Sequence, residues 1–428
     1  MSGRHKARCL IENVYLKTLK YCAVIIGVLS GFNSFSQQVM VNVPLGQMQL
    51  NRKNTIIADS AKQKDIIDIL QKVLDKTTPA TKRALPKKAN FSVIPYGGYT
   101  LSTGFVADIS GNVGFYTSSS HNENYSIIAA DLSYDTKTQK IFLTRSEIWS
   151  DNNNYKLVSD LRFEKYPTDT YGLGTFTTFA TDNDIDFYYL RVYETLLKRV
   201  GNDLYAGIGY NIDYHYDITA MGNQGNTLSD FKKYGQTSAS TSSGINAGLL
   251  YDNRKNPLNP SGGSYASIVF RENTTAIGSN ANWQSLQFDF RKYFKLSENS
   301  KNILAFWSIM QFTRGNVPYL DLPSTGGDMY NNSGRGYAVG RFRGRNELYL
   351  ESEYRFGLTR NGLLGAVLFA NGESFSELQN NSFLRIAPAA GGGLRIKINK
   401  HSNSNICIDY GVGTGGSHGF FVNLGEVF

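Results

Sequence analysis

Long stretches of this chain alternate apolar and polar residues with a period of two, which indicates strands with two different faces. The clearest example runs from Leu204 to Ile218, where even positions are Leu, Ala, Ile or Tyr and odd positions are Tyr, Gly, Asn, Asp or His. These fifteen residues exceed the usual strand of a soluble sheet. Their length is typical of a tilted strand that crosses a membrane and continues beyond it.

A second alternating strand, Asn346 to Leu358, separates apolar residues from charged ones. Its apolar face carries Leu348, Leu350, Tyr354, Phe356 and Leu358, and its charged face carries Glu347, Glu351, Glu353 and Arg355. The segment before it contains Gly334-Arg335-Gly336-Tyr337 and three further cations, Arg341, Arg343 and Arg345. A basic, Gly-rich loop that leads into an acidic strand face predicts a loop folded back onto the wall of a β-barrel.

The same alternation continues to the end of the chain and predicts the size of the barrel. The last strand is expected to place Phe420, Val422, Leu424 and Phe428 on one face, as a C-terminal barrel signal. If residues 91–428 form sixteen antiparallel strands, each strand with its connection takes about 21 residues, a sensible unit for a transmembrane barrel. Fourteen or eighteen strands would also suit this length, and a soluble β-sandwich is the alternative fold.

The N-terminus reads as a secretory signal peptide. A basic segment precedes an apolar run from Tyr21 to Phe32, which is too short to span a bilayer. Small residues at Ser34 and Ser36 suit a cut after Ser36. Removal of residues 1–36 would leave Cys407 as the only cysteine, which excludes an internal disulfide or a multi-cysteine metal site.

Residues 37–90 show a different pattern from the strands that follow. Apolar residues recur at helical spacing between Thr55 and Lys76, and predict one amphipathic helix on the periplasmic side. A basic linker follows. The helix could dock on a partner, plug the barrel, lie on the membrane surface or pack against the periplasmic rim of the barrel.

Composition and charge support a barrel and argue against nucleic-acid binding. Aromatic residues make up 13% of the chain and glycine contributes 42 residues. This composition is typical of a transmembrane barrel, whose polar lumen-facing residues keep its strands from showing as long apolar runs. The net charge of +9 resides in residues 1–36, at +4, and 37–90, at +6, which leaves −1 for the barrel region. A basic footprint for nucleic acid is therefore missing from that region.

No catalytic arrangement emerges from the sequence. The Gly-rich stretch from Gly411 to Gly419 contains strings that match a nucleophile elbow and a dinucleotide fingerprint, but both motifs require a strand-to-helix turn. Ser417 and His418 are neighbours, so on a strand they would point to opposite faces. The remaining mature histidines, His121, His215 and His401, are isolated. We expect no enzyme activity, cofactor or metal.

Five segments, in order, carry a family resemblance. They are Phe91-Ser92-Val93-Ile94-Pro95 with Gly98-Tyr99 and Thr103-Gly104-Phe105; Tyr166-Pro167 with Tyr171-Gly172-Leu173-Gly174; Tyr251-Asp252-Asn253-Arg254 with Asn256-Pro257-Leu258-Asn259-Pro260 and Gly262-Gly263; Gly334-Arg335-Gly336-Tyr337; and Gly425-Glu426-Val427-Phe428. Together they resemble the bacterial surface-antigen superfamily of outer-membrane barrels, the BamA/TamA type. The match is with a short, Bacteroidetes-like form that lacks periplasmic POTRA domains.

The resemblance implies a role for the Gly-rich loop. In that family the loop arginine, here Arg335, reaches into the lumen and pairs with carboxylates of the inner wall. One wall partner corresponds to Glu353. The second is expected at Asn371, where the family usually has aspartate, so the contact would be weaker or would use Glu351.

The resemblance also implies a function and a location. It predicts a barrel of the Gram-negative outer membrane that assists insertion or translocation of outer-membrane proteins or lipids. Residues 37–90 show no βααββ pattern, so the usual client-capture domain is not expected there. The alternatives are a passive pore, a dedicated exporter or a structural subunit of an outer-membrane complex. Outer-membrane lipids are expected partners, with client proteins or a complex subunit bound through the helix at 55–76.

Overall fold

In the computed structural model, strands account for most of the described chain. The structure describes residues 63–66, 68–69, 89–100, 104–120, 122–220, 229–254, 256–257, 259–297, 301–377, 380–399 and 403–428. These contain the strands β1 (Ala89–Thr100), β2 (Gly104–Phe115), β3 (Ser126–Asp135), β4 (Lys140–Trp149), β5 (Tyr155–Lys165), β6 (Thr168–Thr170), β7 (Asn183–Gly201), β8 (Leu204–Ala220), β9 (Ala239–Asp252), β10 (Gly263–Asn273), β11 (Trp283–Lys295), β12 (Ile303–Gly315), β13 (Asn346–Gly357), β14 (Leu364–Phe375), β15 (Ala387–Asn399), β16 (Ser404–Val412) and β17 (His418–Leu424). A short helix, α1 (Asp230–Gly235), and four 3-10 turns (Asp151–Asn153, Phe179–Thr181, Thr275–Ile277 and Tyr319–Asp321) lie in the connections.

The described strands form one antiparallel sheet in which each pairs with the next strand along the chain, except that β5 pairs with β7 and not with β6. The short β6 continues the line of β5, because both pair with β7. The described strands therefore occupy sixteen positions in the sheet. This confirms the predicted all-β, sixteen-strand antiparallel barrel.

The two faces of the strands differ as the alternation predicts. Large apolar side chains are exposed on the outside, for example Phe105, Ile208 and Leu350, which are 70%, 68% and 59% exposed. Charged side chains on the opposite face are buried in the lumen, including Glu351 and Glu353 of β13. A bilayer covers the outer apolar face in a barrel of this kind, while the inner polar groups pair with one another.

The alternation of β8 is interrupted near its end. Asn211, Asp213 and His215 are buried in the lumen, as their odd positions predict. Asp217 adopts a positive φ of 52°, and the register between β7 and β8 shifts at this point. This β-bulge turns Ile218 inward, where it is buried. The prediction that Ile218 shares a face with the other even positions is wrong for this reason.

The first and last strands lie next to each other, but no hydrogen-bonded ladder joins them within the described residues. Within the part of the chain that the structure describes, β1 pairs with β2 and β17 pairs with β16. Each strand therefore has an edge that faces the other across a seam. Unpaired strand edges are costly in a membrane and are ready templates for pairing.

An apolar cluster fills one end of the lumen beneath the longest connections. It contains Leu173, Ile185, Phe187, Tyr189, Ile218, Phe231, Trp283, Val317, Tyr319 and Leu322. Phe231 belongs to α1, whose first turn is capped by the Ser229 side chain. Burial of so much aromatic and aliphatic surface stabilises the loops at this end of the barrel.

Little of the N-terminal region is described. The predicted signal peptide lies wholly outside the described residues, as does most of the predicted helix at 55–76. Within that stretch, residues 63–65 are not helical, and helical residues begin at Ile66. The Asp65 carboxylate accepts a hydrogen bond from the Asp68 N–H at 2.9 Å, the mark of a helix start. A continuous helix from Thr55 is therefore wrong. No helix in the described parts is long and apolar enough to cross a bilayer.

Candidate functional site

The connection between β12 and β13 folds into the lumen, and we call residues 316–345 the lumen loop. Its tip, Gly334–Tyr337, lies against the inner wall, where Arg335 and Tyr337 are each 1% exposed. Gly336 has a φ of 110°, and a Cβ there would lie 2.8 Å from the Cβ of Ala389. Glycine is required at this position because both the backbone conformation and the close approach exclude a side chain.

Arg335 forms three ion pairs with carboxylates of the inner wall. Its Nη2 donates to Oε2 of Glu353 at 2.6 Å and to Glu351, and its Nη1 donates to Asp409. The guanidinium carbon also lies 3.8 Å from the centroid of the Phe369 ring. A planar guanidinium can satisfy several acceptors at fixed angles, which a lysine ammonium does not reproduce.

The strand pattern explains how two of these acids come together. Glu351 and Glu353 are two residues apart on β13, so both side chains point into the lumen. Burial disfavours the charged form of Arg335, but Glu351, Glu353 and Asp409 outweigh it and raise the pKa of Arg335 above its ordinary value. The guanidinium is therefore permanently charged at its wall site.

Sequence reasoning missed Asp409, the third acid. Asp409 belongs to β16 and lies opposite Gly393 of β15, which has no side chain to fill the space. The signal was present, because Ile406, Ile408 and Tyr410 alternate with Cys407 and Asp409 along the strand. Period-two alternation places Cys407 and Asp409 on the lumen face.

Asn371, the expected second wall partner, is close but does not bind the guanidinium. Its Nδ2 donates to the main-chain oxygen of Arg335 at 2.9 Å and lies 3.4 Å from Oε2 of Glu351. The amide thus positions the backbone of the loop tip. A carboxylate at this position would have no N–H to donate.

The charge cluster extends from Arg335 to the end of the chain. In the described residues it comprises three arginines, Arg335, Arg355 and Arg395, and four acids, Glu351, Glu353, Asp409 and Glu426. Arg355 Nε donates to Glu353 at 2.9 Å, and its Nη2 donates to the main-chain oxygen of Phe428 at 2.9 Å. The loop tip is thus connected to the residues that follow β17.

Those last residues turn into the lumen. Gly425 has a φ of 92°, and its carbonyl accepts a hydrogen bond from the Cys407 thiol at 3.0 Å. Phe428 is 3% exposed, and its ring centroid lies 5.2 Å from that of Trp307. The chain therefore leaves the sheet at Gly425 and packs its final aromatic ring inside.

Only some residues of the predicted C-terminal barrel signal face outward. Phe420 and Val422 are 50% and 41% exposed on the outer face of β17, whereas Phe428 is buried in the lumen. The side chain of Leu424 lies outside the described set. The prediction that Phe428 shares the outer face is wrong, because strand alternation ends where the backbone turns at Gly425.

The opposite end of the lumen loop, which we call its root, contains Asp321. Oδ2 of Asp321 accepts a hydrogen bond from the Ser242 hydroxyl at 2.6 Å, and Oδ1 lies 3.6 Å from Nδ1 of His215. Burial and the nearby negative charge of Asp213 raise the pKa of Asp321 to about 7. The root therefore contains a carboxyl group that titrates near neutrality.

Further contacts tie the loop to other parts of the wall. Arg162 of β5 donates from Nη2 to the main-chain oxygen of Met329 at 2.8 Å. Arg145 of β4 lies 5.0 Å from the ring centroid of Tyr330. Since Arg335 meets β13 and β16, the loop contacts the early and the late strands of the barrel at once.

The Gly-rich strings near the C-terminus lie in the connection between β16 and β17. Ser417 is buried, whereas exposed His418 directs its Nδ1 towards the Tyr410 hydroxyl, 3.2 Å away. These two side chains do not meet. The described residues also contain no group of three or more His, Cys, Asp or Glu side chains placed to hold a metal ion.

Comparison with known proteins agrees with this geometry. The Omp85 superfamily domain matches residues 100–419. The structure of BamA from Haemophilus ducreyi lacking POTRA domains 1–3 is similar over 84% of this chain and 78% of that one, at 14% identity and a TM-score of 0.52. No curated protein matches the chain significantly.

Two further solved structures are similar. CdiB from Acinetobacter baumannii matches 80% of this chain and 60% of its own, at 15% identity and a TM-score of 0.50. CdiB from Escherichia coli matches 81% and 66% of the two chains, at 12% identity and a TM-score of 0.52. At these identities the likeness concerns the fold. Because the superfamily domain spans most of the sequence, the chain belongs to the Omp85 superfamily of outer-membrane β-barrels.

Proposed function

We propose that this protein assists the insertion or translocation of outer-membrane proteins or lipids. We infer that it does so without enzymatic chemistry, in a Gram-negative outer membrane that it reaches by a cleaved signal peptide at residues 1–36. The observation that carries the proposal is the direct connection between the Arg335 cluster and the residues after β17, beside the seam where no ladder joins β1 and β17 in the described residues.

The seam supports this proposal through the physics of strand edges. The edge of β17 is short, since the strand spans seven residues, whereas β1 spans twelve. With no ladder between them in the described residues, separating the two edges costs few main-chain hydrogen bonds. An incoming strand or a lipid could therefore use this site at lower cost than any paired position.

The link between loop and seam supports a coupled movement. Glu353 binds both Arg335 of the loop tip and Arg355, and Arg355 binds Phe428. Glu426 is also held, by Arg395 at 2.7 Å. Movement of the loop tip would therefore disturb the segment that sets the end of β17.

The contacts near the rim support an orientation for the barrel. Lys64, from the segment before β1, donates its N–H to the main-chain oxygen of Asn361 in the β13–β14 turn at 3.0 Å. We propose that this rim faces the periplasm and that the segment at 55–76 packs there or meets a partner subunit. The chain ends at the same rim.

Depletion of the protein tests the proposal, with the outer-membrane proteome as the readout. Cells would be complemented with the wild type, Arg335→Lys, or Arg345→Ala as a control at a loop arginine outside the cluster. We expect depletion to lower many unrelated barrels together, Arg335→Lys to restore them in part, and the control to restore them fully. Heat-modifiability on gels establishes that each variant is folded.

Two outcomes would contradict the proposal. If depletion changes none or only one outer-membrane protein, the protein is a pore, a dedicated exporter or a structural subunit. If folded Arg335→Lys restores every barrel as well as the wild type does, the loop contact has no part in the function.

A further inference from the structure

A groove crosses the outer surface of the barrel on β7, β8, β9 and β10. Its volume is about 650 Å³. The residues that define its shape are Leu196, Lys198, Ala206, Ile208, Ala247 and Phe270. The groove lies on the apolar face that a bilayer covers, not in the lumen.

Small residues at two outward positions create the groove. Ala206 of β8 and Ala247 of β9 lie one row apart, since Ala247 is opposite Ile208 and Ala206 is opposite Leu249. Ile208 and Leu249 are 68% and 49% exposed and form raised flanks. The diagonal between the two alanines is therefore a channel with apolar walls.

The floor of the groove is backbone. Gly207 lies opposite Gly248 in the register of β8 and β9. Both glycines occupy lumen-facing positions, since successive residues of a strand alternate between its two faces and their neighbours Ala206, Ile208, Ala247 and Leu249 face outward. Only the small Ala206 and Ala247 side chains therefore cover the backbone on the outer side.

A cation stands at one end of the groove. Lys198 is exposed, forms no ion pair within the described residues, and lies opposite Tyr155 in the register of β5 and β7. Both are close to the tight β7–β8 turn at Asn202–Asp203. A half-exposed tyrosine beside a lysine is typical of the level of lipid headgroups.

We propose that this groove binds one acyl chain of a glycerophospholipid whose phosphate pairs with Lys198. The apolar channel matches a hydrocarbon chain, and the lysine at its end matches an anion attached to that chain. The choice of a glycerophospholipid rests on the proposed orientation, because the β7–β8 turn lies at the same rim as Asn361 and hence in the periplasmic leaflet. The binding site itself does not depend on the proposed function.

Native mass spectrometry of the full-length protein in detergent, titrated with phosphatidylglycerol, tests this site. Lys198→Gln removes the headgroup partner, and we expect about a fivefold loss of apparent affinity for one lipid. Ala247→Leu fills the channel, and we expect at least an equal loss. Lys295→Gln, at a strand end on the same rim, and Ala370→Leu, at another outward alanine, are matched controls that should bind as the wild type does.

The result that overturns the proposal is equal lipid binding by all of these variants, which means only nonspecific coating. A parallel titration with lipid A distinguishes the source of the anion. If lipid A binds in a manner that depends on Lys198 while phosphatidylglycerol does not, the glycerophospholipid assignment is wrong.

Discussion

The tip and the root of the lumen loop are attached to the barrel by different kinds of interaction. At the tip, one fully charged arginine is surrounded by three buried carboxylates. At the root, Tyr319 and Leu322 pack in an apolar cluster, and one of the polar contacts is a hydrogen bond from Ser242 to a carboxyl group whose pKa is about 7. The comparison shows a loop whose two attachments respond to different perturbations.

The difference has a consequence for how the loop could move. The tip depends on an arginine that keeps its charge across the physiological pH range. The root depends on apolar burial and on a group that gains or loses a proton near neutrality. We infer that the tip is the stronger attachment and the root the adjustable one.

Removing the tip arginine should have the largest effect. Arg335→Ala leaves Glu351, Glu353 and Asp409 close together without their shared cation, and breaking a buried ion pair on one side costs about 3–5 kcal/mol. We expect a matching loss in the free energy of unfolding, measured by denaturant titration of the refolded barrel. Arg345→Ala is the control, because Arg345 lies outside the charge cluster, where it donates an exposed hydrogen bond to the main-chain oxygen of Gly315 and lies 5.7 Å from the Tyr234 ring centroid. Equal stability of the two variants would refute the tip assignment.

Removal of the Phe428 ring tests whether the charge cluster at the loop tip continues to the last residues of the chain. Phe428→Ala empties a site against Trp307 and Tyr293, and loss of a buried phenylalanine costs about 3 kcal/mol. Phe420→Ala, on the outer face, is the matched control and should cost less in detergent. Unfolding titrations in the same detergent compare the two. A larger effect at Phe420 than at Phe428 would mean that the C-terminal residues face outward.

The pH dependence of the free energy of unfolding should distinguish the root from the tip. Because the folded state raises the pKa of Asp321 to about 7, it binds a proton more tightly than the unfolded chain does. This contribution to stability is therefore lost as pH rises from about 4 through 7. Asp321→Asn should remove a slope of at most about 1.4 kcal/mol per pH unit.

Unfolding titrations between pH 6 and 7.5 would measure this slope in both proteins. The other titratable or charged groups that face Asp321 are Asp213, His215, Arg191, Arg271 and Arg343, and all are retained in the variant. An Asp321→Asn barrel with the same pH slope as the wild type would place the titration elsewhere.

The smallest effect should come from restoring the acid that the family usually has. Asn371→Asp removes the N–H that binds the Arg335 main chain and adds a negative charge near Glu351. We expect a loss of about 1–2 kcal/mol in the free energy of unfolding, again from denaturant titration. A gain in stability would show that the guanidinium can accept a fourth carboxylate.

Much of the fold and part of the site could be predicted from the sequence. The alternation in β13 placed Glu351 and Glu353 on one face, and the Gly-Arg-Gly string before it predicted a loop against the wall. Such inferences succeed because strand geometry is local and has a fixed period. The length of the chain was consistent with sixteen strands but did not fix that number, because fourteen or eighteen strands suited it as well.

The remaining features depend on contacts between residues distant in the sequence. The bulge at Asp217 reverses the faces of β8 only because β7 pairs with one residue fewer there. Phe428 turns inward because Trp307 and Arg355, on other strands, form its site. Asp409 binds Arg335, which lies 74 residues earlier in the sequence. Periodicity predicts that Asp409 faces the lumen, but it does not predict which residue Asp409 contacts there.

A double-mutant cycle between Arg335 and Asp409 tests the central claim most directly, namely that the loop tip is bound to the wall by charge. The four proteins are the wild type, Arg335→Ala, Asp409→Ala and the double variant, each unfolded by denaturant under identical conditions. We predict a coupling energy of about 1–3 kcal/mol, the range for buried residues in contact. Additivity of the two substitutions within about 0.5 kcal/mol would contradict the account, because it would show that the two side chains do not interact.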